Sequence, residues 1–137
     1  MHLKQIRFYE SEYLNYWLLT PEGNNELSDI EVYIQGTEQG PEESRYQFAC
    51  DILDKHWRKV MDLALNRLHS WAEDTEKGYE ASCIYIGDYP YGPQAGRQHG
   101  FKLTLKTTGS DCEDIYGEFT INFNQNIWPI GYEFSIA

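Results

Sequence analysis

Seven stretches of this chain alternate apolar and polar residues with a period of two, and one stretch alone keeps the period of a helix. The strand-like runs carry Ile6 and Phe8, then Leu14, Tyr16 and Leu18, then Ile30, Val32 and Ile34. Beyond the middle come Ile84 and Ile86; Phe101, Leu103 and Leu105; Phe119, Ile121 and Phe123; and Ile130, Tyr132, Phe134 and Ile136. Successive side chains on a strand point to opposite faces, so each run buries one face and wets the other. That is the pattern of antiparallel strands; parallel sheets covered on both sides read as continuous apolar runs. The connections agree. Glu10-Ser11-Glu12 and Asn124-Gln125-Asn126 are hairpin-sized, and Pro21-Glu22-Gly23-Asn24-Asn25 is rich in turn formers.

The helical stretch begins at Pro41-Glu42-Glu43, where a proline needs no donor and acids suit the positive end of the dipole. Its apolar stripe is Tyr46, Ala49, Leu53, Trp57, Val60, Ala64, Leu68 and Trp71, a mean step near 3.6 residues. Phe48 and Ile52 flank the stripe on one side in its first half, and Met61 and Leu65 on the other in its second. The apolar face therefore turns near Asp54-Lys55-His56, which predicts a kink or two helices meeting there. The expected fold is α+β: an antiparallel sheet of about six to seven strands, one face covered by a long kinked helix or helix pair at about residues 42–73. At 137 residues the expectation is one domain spanning 1–137, long enough to bury roughly two-thirds of its unfolded surface.

Charge is distributed unevenly along this frame. Between Arg7 and Arg45 lie nine carboxylates and no base: Glu10, Glu12, Glu22, Glu26, Asp29, Glu31, Glu38, Glu42 and Glu43. From Thr107 to Ala137 a second basic-free segment adds Asp111, Glu113, Asp114, Glu118 and Glu133. The rest of the chain nearly balances, so these two segments account for the net charge of −11. Such a field attracts cationic partners and repels nucleic acid and anionic membranes. Disordered acidic tails are poor in aromatics, whereas this chain is 15% aromatic, so the acidity belongs to a folded domain.

Signatures of chemistry are scarce. Cys50, Cys83 and Cys112 have no metal-ligand spacing, and with no apolar leader after Met1 a reducing cytoplasm is the expected setting. His69 and Glu73 stand one turn apart, but on the side opposite the stripe, where such pairs decorate a surface. The glycines between Gly87 and Gly100 run into a strand at Phe101 with no Lys-Ser or Lys-Thr after them, unlike a phosphate loop. No Gly-x-Ser-x-Gly elbow occurs. Accordingly no catalytic residue, metal site or cofactor is expected.

Loops as long as Gly87–Gly100 are uncommon unless functional, and Asp88, Tyr89 and Tyr91 in it suit contact with a partner. Together with Glu38, Glu42 and Glu43 at the sheet-to-helix junction, and Asp111, Glu113 and Asp114 in a later turn, they form the expected partner-binding set.

The N-terminal strand pair, the third strand ending Ile34-Gln35-Gly36, the Pro-Glu-Glu helix start and the final Gly117-Glu118-Phe119-Thr120-Ile121-Asn122-Phe123 and Trp128-Pro129-Ile130-Gly131-Tyr132-Glu133 hairpin resemble, in layout, small acidic bacterial immunity proteins of polymorphic or contact-dependent toxin systems. The resemblance implies a cytoplasmic protein, neither enzyme nor nucleic-acid binder, that neutralises one cognate toxin domain. A basic, nuclease-type toxin is the partner that suits the charge. Two other classes stay open: a small enzyme with the Gly87–Gly100 loop as lid and a carboxylate or His99 as acid/base, and an oligomeric adaptor that pairs sheet edges.

Overall fold

A computed structural model describes residues 1–12, 14–23, 26–27, 29–71, 78–88, 100–108 and 117–136. Strands β1 (His2–Glu10), β2 (Asn15–Glu22), β3 (Glu31–Thr37) and the two-residue β4 (Gly40–Pro41) precede the helical layer. That layer is α1 (Glu43–Asp51), a π-helical turn over Ile52–His56, and α2 (Trp57–Trp71). Strands β5 (Gly78–Ile86), β6 (Phe101–Thr108), β7 (Gly117–Phe123) and β8 (Pro129–Ile136) complete the sheet, whose order is β1-β2-β3-β5-β6-β7-β8 with β4 paired to β3. The α+β architecture is the one expected, with the long helix over one face. Pro41 sits ahead of the helix rather than inside its first turn, and Glu42 occupies the N-cap.

One pairing departs from the alternation's reading. β3 and β5 run parallel, Val32 beside Ile84 and Ile34 beside Ile86, while the other pairs are antiparallel. A parallel pair needs a long crossover, and here the whole helical layer is that crossover. Alternation reports which face a side chain takes, not which way its neighbour runs.

The π-helical turn is the predicted kink. Such a turn closes i to i+5 bonds and so inserts a residue into the helical repeat. Ala49 and Cys50 before it, Ile52 and Leu53 within it, and Val60, Ala64 and Leu68 after it are all buried against the sheet. On the sheet side the core takes Leu3, Leu19, Val32, Ile34, Ile84, Ile86, Phe101, Leu103, Leu105, Ile121 and Phe123. Phe101 stacks on Phe123 at 4.6 Å between centroids, and Phe48 of α1 meets Phe101 edge-on at 6.0 Å. These rings lock α1 to the second half of the sheet.

The phase of the first two strands differs from the alternation. A bulge between Gln5 and Arg7 resets the period, so Leu3 is buried, Phe8 packs on Trp17, and Ile6 is 50% exposed. In β2 the run Tyr16-Trp17-Leu18-Leu19 has no polar member to fix its phase. Leu19 and Pro21 are buried and Trp17 packs on the core, which puts Tyr16 and Leu18 on the open face. There Tyr9, Tyr16 and Tyr33 form a ring row with centroids 5.1 and 5.6 Å apart, and Tyr85 lies beside Tyr33 in register.

Candidate functional site

The sheet-to-helix junction gathers several of the expected binding residues. Arg45, in the first turns of α1, is mostly buried and bridges two of them: its Nε lies 3.3 Å from Glu42 and its Nη2 2.8 Å from Asp88. Its Nη1 donates to the Gln35 amide oxygen, which also accepts from the Asp88 N–H at 2.8 Å. The Tyr85 hydroxyl donates to the Asp88 carbonyl at 3.0 Å. This network ties β3, α1 and the end of β5 together beside a 490 Å³ hollow that reaches Gly100. Glu42 and Asp88 are thus committed to holding the fold. Glu38, in the β3–β4 turn, and Glu43, in the first turn of α1, are exposed and make no hydrogen bond or ion pair among the described residues. Tyr89, Tyr91, Asp111, Glu113 and Asp114 lie outside the described residues, as do Cys112, Glu73 and His99. His69 is exposed, with its ring 6.4 Å from that of Tyr79.

A larger acidic feature lies at the other end of β3. Its origin is a mismatch of strand ends. β5 begins at Gly78, but its pairing with β3 begins only where Glu31 meets Cys83. Residues 78–82 therefore have no strand on that side among the described residues. The space beside them is walled by the Leu27–Ile30 turn, closed by the Ile30 N–H bond to the Leu27 carbonyl at 3.1 Å. Leu27 and Ile30 anchor this turn in the core. Glu26, Asp29 and Glu31 consequently stand along one rim. Trp57 and Met61, from the first turns of α2, supply apolar floor, and Glu80, Lys106 and Glu118 edge the open side.

The resulting groove has a volume of about 740 Å³ and, among the described residues, presents five carboxylates to one ammonium. Lys106 spends its charge on Glu80, 3.3 Å away. The Tyr33 hydroxyl donates to Glu31. Burial, followed by the Glu31 carboxylate, pushes that phenol well above its ordinary value, so it stays a donor. Cys83 also lines the groove, and burial raises its thiol, which keeps it protonated and a poor nucleophile. What the site offers is acceptors: carboxylates for cationic heads, an apolar floor for their stems, and the backbone of a free strand edge.

Glu26, Asp29 and Glu31 belong to the basic-free segment that the sequence marks out, but nothing in the sequence brings Glu80 and Glu118 to them. That depends on β5 outrunning β3, which is a matter of pairing rather than pattern. No protein-family model matches the chain, and no curated protein or solved structure is similar to it.

Proposed function

We propose that this protein is a non-catalytic binding protein that holds a basic protein partner in the groove between the Leu27–Ile30 turn and the free edge of β5, with a nuclease-type toxin domain as the partner it neutralises. The observation that carries the reading is the five-to-one ratio of carboxylates to ammonium in a groove with an apolar floor. A lysine or arginine side chain entering it lays its methylenes on Trp57 and Met61 and its charge among Glu26, Asp29 and Glu31. Carboxylates placed this way occupy the cationic surface on which a nuclease would otherwise hold phosphate. The acid-rich segment, nine carboxylates with no lysine or arginine among them between Arg7 and Arg45, supports the same reading. Like charge concentrated on one surface projects into solvent and steers association.

The test is binding of a basic nuclease domain by charge-reversed variants. Reversing the rim with Glu26→Lys, Asp29→Lys and Glu31→Lys should weaken affinity by more than about tenfold, because like charges then face each other across the contact. Reversing Glu38 and Glu43 should weaken it by much less. Unchanged affinity in the rim variant removes the groove from the account.

A further inference from the structure

We infer that β8 is a self-association edge: two copies of this chain pair their β8 strands antiparallel about a two-fold axis and continue the sheet from one copy into the other. The groove and the junction play no part in this.

Among the described residues the sheet has two outer strands, and they differ in charge. β1 is broken by its bulge between Gln5 and Arg7 and carries Lys4, Arg7 and Glu10, devices that discourage edge pairing. β8 too has an irregularity, its pairing with β7 stepping over Ile130 from Gly131 to Pro129, but it carries one charge along its length, Glu133, and that carboxylate lies 3.5 Å from the Lys102 ammonium. On the helix side of the sheet the row Ile130, Tyr132 and Phe134 runs beyond the cover that α2 provides. With Trp128 next to it, these side chains are 44–49% exposed. Half-exposed residues of this size leave about 300–500 Å² of apolar surface, the extent at which a patch on a monomer is usually functional. Phe134 and Tyr132 are held in place from behind by Phe119, with centroids 4.7 and 6.3 Å away. The patch is therefore a firm surface, already shaped for a flat partner.

The strand is complementary to itself. Only two registers of a two-fold antiparallel pair keep the helical layers on one face and overlap nearly the whole of β8. In one, Tyr132 faces its own copy, Ile130 faces Phe134, and Glu133 faces Gly131. The other sets the two Glu133 carboxylates directly against each other, which is unfavourable. The first register has no like-charge pair and joins apolar to apolar along the helix side. A closed two-fold contact of this kind uses the same patch twice and leaves no growing edge, since the remaining outer strands are the bulged β1. The buried total, about 600–1,000 Å² of apolar surface, sits at the lower end for specific contacts, so the dimer is concentration-dependent. Each copy carries −11. Salt screens that repulsion, so self-association strengthens as salt rises, the opposite of binding to a cationic partner.

Sedimentation of the full chain over a concentration series at low and high salt tests this. A dimer that grows with both concentration and salt, and that Ile130→Lys abolishes while circular dichroism stays unchanged, is the expected result. The register has its own readout. In a Cys112→Ser background, Tyr132→Cys should cross-link to its own copy under mild oxidation, and Glu133→Cys should not. A monomer at every concentration and salt overturns the inference. So does a dimer that survives Ile130→Lys, or one that cross-links through position 133 rather than 132.

Discussion

Asn124 shows how much of the last hairpin rests on one side chain. Its Oδ1 accepts from the Asn126 N–H at 2.9 Å and the Trp128 N–H at 3.1 Å. Those contacts hold a turn in which Ile127, a β-branched residue, sits at φ 59° with its side chain buried. Few β-branched residues adopt that region, so the turn depends on what surrounds it. Asn124→Ala should cost about 1–3 kcal/mol, read by urea unfolding, because two N–H groups lose their acceptor. Tyr33 and Tyr85 carry a second prediction. Burial is the main cause raising both phenols above their ordinary value of 10.0. A group with a raised folded pKa stabilises fully below the unfolded pKa, and that contribution drains away as pH climbs towards the folded value. Stability should therefore decline above pH 10, with two tyrosines ionising late in an absorbance titration. Tyr33→Phe and Tyr85→Phe together should flatten the decline. An unchanged alkaline slope in the double variant would refute the assignment.

At the scale of elements, the helical layer approaches the sheet most closely at its small residues. Ala49 and Ala64 are fully buried, one on each side of the π-helical turn. Ala64→Leu should destabilise by about 1–3 kcal/mol through overpacking, whereas Leu65→Ala, half-buried at the flank, should cost less. Chemical denaturation of the pair checks the ordering. The helix stripe, its kink and the strands after Ile84 were readable in the sequence because hydrophobic spacing encodes which face is buried. The phase of β1 and β2 was not, for a bulge and an all-apolar run erase the period that carries it. The parallel β3–β5 pair was equally hidden, although the helix between them has the length such a crossover needs. As for the site, its first three carboxylates lay in a segment whose charge was conspicuous. Glu118 lay in the second basic-free segment and Glu80 in the balanced middle, and only the pairing of β5, β6 and β7 joins them to the rest.

For the molecule as a whole, two surfaces with opposite demands share one sheet. The groove beside β3 is acidic and, among the described residues, has only Lys106 for a base; the outer strand β8 is apolar and nearly uncharged. No helix among the described residues is long and apolar enough to cross a membrane. On the two proposals made for them, salt should weaken contact at the first and strengthen it at the second. Arg45, which ties β3 to α1 and β5, keeps the helical layer in place for both. Arg45→Met should lower stability by about 1 kcal/mol, measured by thermal unfolding, since it removes two ion pairs to exposed carboxylates and one hydrogen bond to the half-buried Gln35 amide. The central claim is that the lopsided negative field recruits a cationic protein. Its most direct test is the association rate constant for a basic nuclease domain, measured by stopped flow across a salt series. The expected result is a steep fall, on the order of tenfold or more from low to physiological salt, with the dissociation rate nearly constant. An association rate that stays flat across the series would contradict it.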